Sequence, residues 1–185
     1  MSHRICPWWL GYLLASPIRR LLQNPDEVIA PYVREGMTVL EPGPGMGFFT
    51  LPLARRVGPT GRVVAVDVQP KMIAALKRRV ARAGLLPQVD ARLVAANTMG
   101  LADIEGTVDF TLAFAMVHEL PSVEPFLREV ARALKPGGSL LIAEPAGHVK
   151  APMFDAELQS AAKAGLELVS RPTIRRSLAA LLKKA

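Results

Sequence analysis

Val39-Leu-Glu-Pro-Gly-Pro-Gly-Met-Gly-Phe-Phe-Thr50 decides the fold. An apolar run ends in the acidic Glu41, glycines follow at the alternate positions Gly43, Gly45 and Gly47, and a helix-like segment begins at Phe48. Glycine at such a point lets the backbone turn tightly out of a strand and leaves no side chain between it and a ligand. The amides that open the next helix then face whatever binds there. A nucleotide-like cofactor is the natural reading, and the spacing narrows it. The dinucleotide fingerprint G-x-G-x-x-G requires glycine where this chain has Phe48. The loop therefore suits a nucleoside ligand better than one carrying a pyrophosphate.

Two further segments extend the pattern. Gly61-Arg-Val-Val-Ala-Val-Asp67 reads as a turn and a buried parallel strand ending in a carboxylate. Asp67 lies about as far beyond the glycine loop as the acidic residue that takes the ribose hydroxyls in nucleotide-binding α/β units. Leu134-Lys-Pro-Gly-Gly-Ser-Leu-Leu-Ile-Ala-Glu144 reads as a helix end, a Pro-Gly-Gly turn and another buried strand ending in a carboxylate. The rest alternates between strand and helix. Strands are expected over 37–41, 62–67, 89–94, 108–113, 139–143, 166–170 and 177–182, the last of which has helical propensity too. Helices are expected over 48–57, 70–83, 123–134 and 152–164, after a helical entry region at 17–33. Such alternation argues for a parallel sheet with helices on both faces. On the motifs alone, other nucleotide-binding α/β domains, dehydrogenase-like ones included, share these features.

The three segments, in this order, resemble class I S-adenosylmethionine-dependent methyltransferases. VLEPGPGMG is similar to that family's glycine-rich first motif, VVAVDVQPKM to its second-strand acidic motif, and LKPGGSLLIAEP to the loop and fifth strand of its small-molecule branch. The resemblance covers roughly residues 36 to 184. It implies a Rossmann-like, doubly wound, mostly parallel seven-stranded sheet with an antiparallel last strand, and S-adenosylmethionine as cofactor. It implies a role for Glu41 near the methionine amino group, close approach at Gly43, Gly45 and Gly47, and ribose binding by Asp67. Val68 would pack on the adenine. Asn97 stands where the family often has an acidic residue near the adenine amino group, and its carbonyl can still accept a hydrogen bond. Ala113 to Met116 would line the reacting side.

The segment Asp109-Phe-Thr-Leu-Ala-Phe-Ala-Met-Val-His-Glu-Leu-Pro121 bears on the acceptor. Phe114-Ala-Met116 lacks the Asn or Asp, two prolines and aromatic of nucleic-acid amino-methyltransferases, and the Lys-Asp-Lys-Glu set of ribose methyltransferases is missing as well. The segment resembles instead the quinone, sterol and arsenic-type small-molecule enzymes. His118 and Glu119 are the candidate catalytic residues, since histidine can act as a base near neutral pH. His148, after the fifth strand, could face the same cleft. Cys6 is the single cysteine, too few thiolates for arsenite chemistry. Cys6, His118 and His148 lack the spacing of a known metal-ligand motif, so no metal is expected.

Composition frames these readings. A chain of 185 residues, half of them hydrophobic, suits a single domain with a core between sheet and helices. Within it, residues 1–35 read as an N-terminal helical lid carrying Trp8, Trp9, Tyr12, Leu13 and Leu14, and residues 36–185 as the methyltransferase domain. One cysteine and no apolar run long enough to span a bilayer suit a cytoplasmic protein. The net charge of +7 gathers in Lys71, Lys77, Arg78, Arg79 and Arg82, and again in Arg171, Arg175, Arg176, Lys183 and Lys184. Neither group has interleaved aromatics, so a nucleic-acid partner is not expected. The expected function is methyl transfer to a small-molecule acceptor, with a homodimer compatible with the small acceptor site. An RNA methyltransferase, or a non-catalytic S-adenosylmethionine-binding protein, are the other readings.

Overall fold

The computed structural model describes residues 23–185. Trp8, Trp9, Tyr12, Leu13, Leu14, Cys6 and the first part of the entry region lie outside them. In chain order the elements are α1 (Pro25–Ile29), β1 (Thr38–Pro42), α2 (Thr50–Val57), β2 (Arg62–Asp67), α3 (Pro70–Arg82), β3 (Val89–Leu93), β4 (Val108–Phe114), α4 (Val123–Ala133), β5 (Leu134–Pro145), α5 (Ala151–Lys163), β6 (Leu166–Ser170) and β7 (Ser177–Lys184). The strands form one seven-stranded sheet in the order β3-β2-β1-β4-β5-β7-β6. The pairs β1–β2, β2–β3 and β4–β5 are parallel, and β7 runs antiparallel to both β5 and β6. This is the expected Rossmann-like sheet with its antiparallel last strand.

The chain divides into two compact units, one ending at Asn97 and the other beginning at Thr98. In the first, α3 starts at Pro70, whose fixed φ suits a first helical turn. Its buried Met72, Ile73, Leu76 and Val80 keep the helical period, while Lys71, Lys77, Arg78 and Arg82 fall between them. Ile73, Leu76 and Val80 pack on Ala65 of β2 and Ala91 of β3. Arg62 and Arg92 both bind Asp90 of β3, at 2.5 and 2.7 Å.

In the second unit β4 carries the buried Phe110 and Leu112, and β5 carries Leu140 to Ala143. Strand β5 starts earlier than the motif suggests. Leu134 pairs with Val108 and the next pair is Ser139 with Phe110, so Lys135 to Gly138 bulge out opposite the single residue Asp109. Lys135 Nζ donates to Asp109 Oδ1 at 2.6 Å across that bulge. Residues 177–184 are strand in spite of their helical propensity. They lie between β5 and β6, and both neighbours supply backbone partners while Ala179, Ala180 and Leu182 are buried.

Candidate functional site

The carboxyl ends of β1 and β2 in the first unit carry the two expected acidic residues. Pro42 pairs with Val66, so Glu41 and Asp67 close adjacent strands at nearly the same level. The turn after Pro42 is anchored by Gly43 N donating to Val66 O at 2.9 Å and Gly47 N donating to Pro44 O at 3.0 Å. Arg79 of α3 donates from Nη1 to the Met46 carbonyl and holds the turn from the other side.

Two glycines of the turn do different work. Gly45 has φ +54, and a Cβ there would meet nothing within 4 Å, so it leaves open space at the mouth of the turn. Gly47 has φ +87, and its Cβ would lie 2.6 Å from Leu76 Cδ1 and 2.8 Å from Leu51 Cδ1. Gly47 is buried and serves the close packing of turn on helix. Gly43 is exposed.

Glu41 is 4% exposed, and its Oε2 has no hydrogen-bond partner among the described residues. Burial pushes its carboxyl up to about 8, and the charge of Asp67 pushes the same way. A hydrogen bond with Thr50 opposes them, and the oxygen left unpaired calls for a cation or donor. Asp67 is 8% exposed and its Oδ1 accepts from Gln69 N at 2.9 Å, the turn that leads into α3. Val68 beside it is an exposed apolar residue, and Asn97 is exposed after β3. An open glycine mouth, a buried carboxyl with one oxygen unpaired and a second carboxylate on the neighbouring strand end fit an amino-acid nucleoside. The ammonium would meet Glu41 and the ribose hydroxyls Asp67.

The second unit holds a polar cluster at the carboxyl ends of β4 and β5. Strand β4 leaves through Ala115, whose φ of +55 is the left-handed region that a residue with a Cβ enters only under strain. That bend turns the next amides toward β5. Met116 N and Val117 N donate to Glu144 Oε1 at 3.2 and 2.9 Å, and His118 Nδ1 pairs with Glu144 Oε2. Glu144 is 0% exposed, with both oxygens engaged. Its hydrogen bond is the largest cause of a raised His118 pKa, which burial opposes and the charges of Glu144, Glu119 and Glu157 reinforce. The rings of His118 and His148 lie parallel, centroids 6.2 Å apart.

The structure brings His118 and His148 together, and it sets Glu119 in the short turn Val117–Glu119. Ala113 differs from expectation. It is fully buried inside the β4–β5 pairing, so the partly exposed Phe114, Ala115 and Met116 are the surface beyond it. Sequence reasoning noted Glu144 only as a strand-ending carboxylate and missed Glu157. The signal for Glu157 was present: with Phe154, Leu158 and Ala161 it forms the inward i, i+3, i+4, i+7 stripe of α5. No group of three or more His, Cys, Asp or Glu among the described residues is placed to hold a metal ion. No helix among them is long and apolar enough to cross a membrane.

Comparison with known proteins agrees with this geometry. The family model described as a methyltransferase domain matches residues 40–142. The ubiquinone/menaquinone biosynthesis C-methyltransferase of Enterobacter sp. (strain 638) is 36% identical over 113 residues, 60% of this chain and 44% of that protein. The chain thus spans less than half the length of the curated relatives it matches. The crystal structure of an S-adenosylmethionine-dependent methyltransferase from Aquifex aeolicus superposes with a TM-score of 0.87 at 26% identity, over 98% of this chain and 100% of that one. A TehB-like S-adenosylmethionine-dependent methyltransferase from Corynebacterium glutamicum shares the fold at a TM-score of 0.73 and 21% identity, over 95% and 98% of the two chains. With a family model matched over more than half its length, and a sheet whose order is the family's own, this chain belongs to the class I S-adenosylmethionine-dependent methyltransferase family.

Proposed function

We propose that this chain transfers the methyl group of S-adenosylmethionine to a small-molecule acceptor. The observation that carries the reading is the buried Glu41 carboxyl, whose Oε2 has no partner among the described residues, beside the open glycine turn, with Asp67 one strand away. Glu41 would hold the methionine ammonium, Gly43, Gly45 and Gly47 would let the chain approach the ligand, and Asp67 would take the ribose hydroxyls. Val68 would cover the adenine, with Asn97 near its amino group. The sulfonium supplies an already activated methyl, so the protein's task is mainly alignment and the exclusion of water.

His118 and Glu119 are assigned to the acceptor side. Glu144 holds Nδ1 of His118, which leaves Nε2 to face an acceptor. The small-molecule class rests on the 109–121 segment and on the curated relatives, which are C-methyltransferases by name. Residues 1–35 are read as a lid from their tryptophans alone. A cytoplasmic setting and a homodimer remain part of the same reading.

Calorimetric titration with S-adenosylhomocysteine tests it. The wild type should bind, and Asp67→Ala should bind roughly 10-fold or more weakly through loss of charge-assisted hydrogen bonds. Tighter binding of NAD than of S-adenosylhomocysteine would overturn the reading.

A further inference from the structure

Glu157 is the one charged member of the inward stripe of α5, among the apolar Phe154, Leu158 and Ala161. It is 4% exposed, and neither of its carboxylate oxygens has a hydrogen-bond partner among the described residues. A carboxyl held this way costs stability unless a neighbour uses it. Its charge acts on the polar cluster at the ends of β4 and β5. Burial and the charge of Glu144 on β5 push Glu157 up to about 7, and His118 on the turn after β4 opposes them. Glu119 adds its charge at His118, and the His148 ring lies parallel to that of His118.

We propose that Glu157 is a positioning residue of the acceptor site, which together with Glu144 makes His118 the proton acceptor for a methyl acceptor that gives up a hydroxyl or acidic C–H proton. This rests on the methyltransferase reading and deepens it by naming an acceptor class. Glu144 Oε2 takes the Nδ1 hydrogen of His118, so the free lone pair is on Nε2. As the acceptor's O–H or C–H bond breaks, its proton goes to Nε2 and its electron pair forms the bond to the methyl carbon. The methyl–sulfur bond breaks with its pair remaining on sulfur, which becomes a neutral thioether. The imidazolium left behind is paired with the buried Glu144, and the charge of ionised Glu157 adds to the field that favours it. A thioether or tertiary-amine acceptor loses no proton and has no use for this arrangement.

The test is ¹⁵N NMR titration of the histidine rings in the full chain without cofactor. The three histidines are assigned with His118→Gln and His148→Gln variants. His118 should hold its neutral-form proton on Nδ1. Its ring shifts should show a second inflection near pH 7 from the coupled carboxyl, which disappears in Glu157→Gln. That variant should also hold its ring proton at least threefold more weakly. A neutral form protonated on Nε2, or titration curves identical in wild type and Glu157→Gln, would overturn the proposal. The wild-type curve decides the tautomer and the second inflection even where a variant fails to fold, and Glu157→Asp, which keeps the charge, should restore the coupling in part. A second arm offers hydroquinone, dimethyl sulfide and trimethylamine as probe acceptors with isotope-labelled cofactor. Label on hydroquinone oxygen or carbon supports the acceptor class, and label on sulfide or amine alone overturns it. S-adenosylhomocysteine binding in the same samples tests the methyltransferase reading, so either idea can fail without the other.

Discussion

Replacing Glu41 by Gln separates what this carboxylate costs the fold from what it gives the ligand. Its ordinary value of 4.5 is pushed by burial to about 8. In the folded protein it therefore keeps a proton that the unfolded chain releases. Its effect on stability is absent below about pH 4.5, grows as pH rises, and levels off above about pH 8. At about 1.36 kcal/mol per unit, the loss between pH 5 and pH 8 comes to about 3–4 kcal/mol. For a chain of this size that is roughly 10 °C in melting temperature. Gln has nearly the same shape and does not ionise. A buried amide brings its own cost of about 1–3 kcal/mol, but that offset does not vary with pH. The difference in melting temperature between Glu41→Gln and wild type should thus grow by roughly 10 °C in favour of the variant from pH 5 to pH 8. The same exchange should weaken S-adenosylhomocysteine. At pH 7 the wild type should release nearly one proton on binding as Glu41 ionises against the ammonium, measured by calorimetry in two buffers of different ionisation enthalpy, and the variant should release none. Parallel melting curves at every pH would refute the burial argument. Absence of proton release would refute the ammonium assignment.

Gly45→Ala should lose only about 1 kcal/mol of stability for its left-handed backbone, yet bind S-adenosylhomocysteine at least 10-fold more weakly because the methyl enters the open mouth. Gly47→Ala should instead lose about 1–3 kcal/mol beyond the backbone cost as its Cβ meets Leu76 and Leu51, read by thermal unfolding. RNA should bind weakly, with steep salt dependence and no sequence preference in filter binding. Nanomolar affinity for one RNA at high salt would favour an RNA acceptor. Removing residues 1 to 15 should weaken both cofactor and acceptor binding, and unchanged affinity and rate would return the tryptophans to packing.

The glycine turn and the two acidic strand ends of the candidate site were legible because they are local in the chain. A turn of alternate glycines and an acidic strand end sit within tens of residues, and β2 lies where the sequence placed it. The roles of individual members were less so. Gly43, Gly45 and Gly47 look alike in sequence, and only the side chains of α2 and α3 show that Gly47 faces inward. Ala113 reads as a strand-end residue, but pairing with β5 continues beyond it to Phe114 and buries it. The polar cluster at the ends of β4 and β5 depends on residues far apart. His118 and Glu144 are separated by 26 positions, and their pairing follows from the parallel register of β4 and β5 together with the strained bend at Ala115. Glu157 comes to them on a helix whose apolar stripe would ordinarily exclude it. The Pro-Gly-Gly segment read as a plain turn because a bulge inside a strand shares the composition of a loop.

The position of β7 has a consequence for the order in which the protein takes shape during synthesis. Its partners β5 and β6 leave the ribosome first, yet neither pairs with the other, because β7 lies between them. Until Ser177–Lys184 has been made, β5 presents an unpaired row of backbone groups flanked by the apolar Leu140, Leu141 and Ile142. Such a free edge recruits strands from other nascent chains. Strand β7, made after both of its neighbours, is thus the one that joins them, and slow translation or truncation just before residue 177 would leave β5 with an open, aggregation-prone edge.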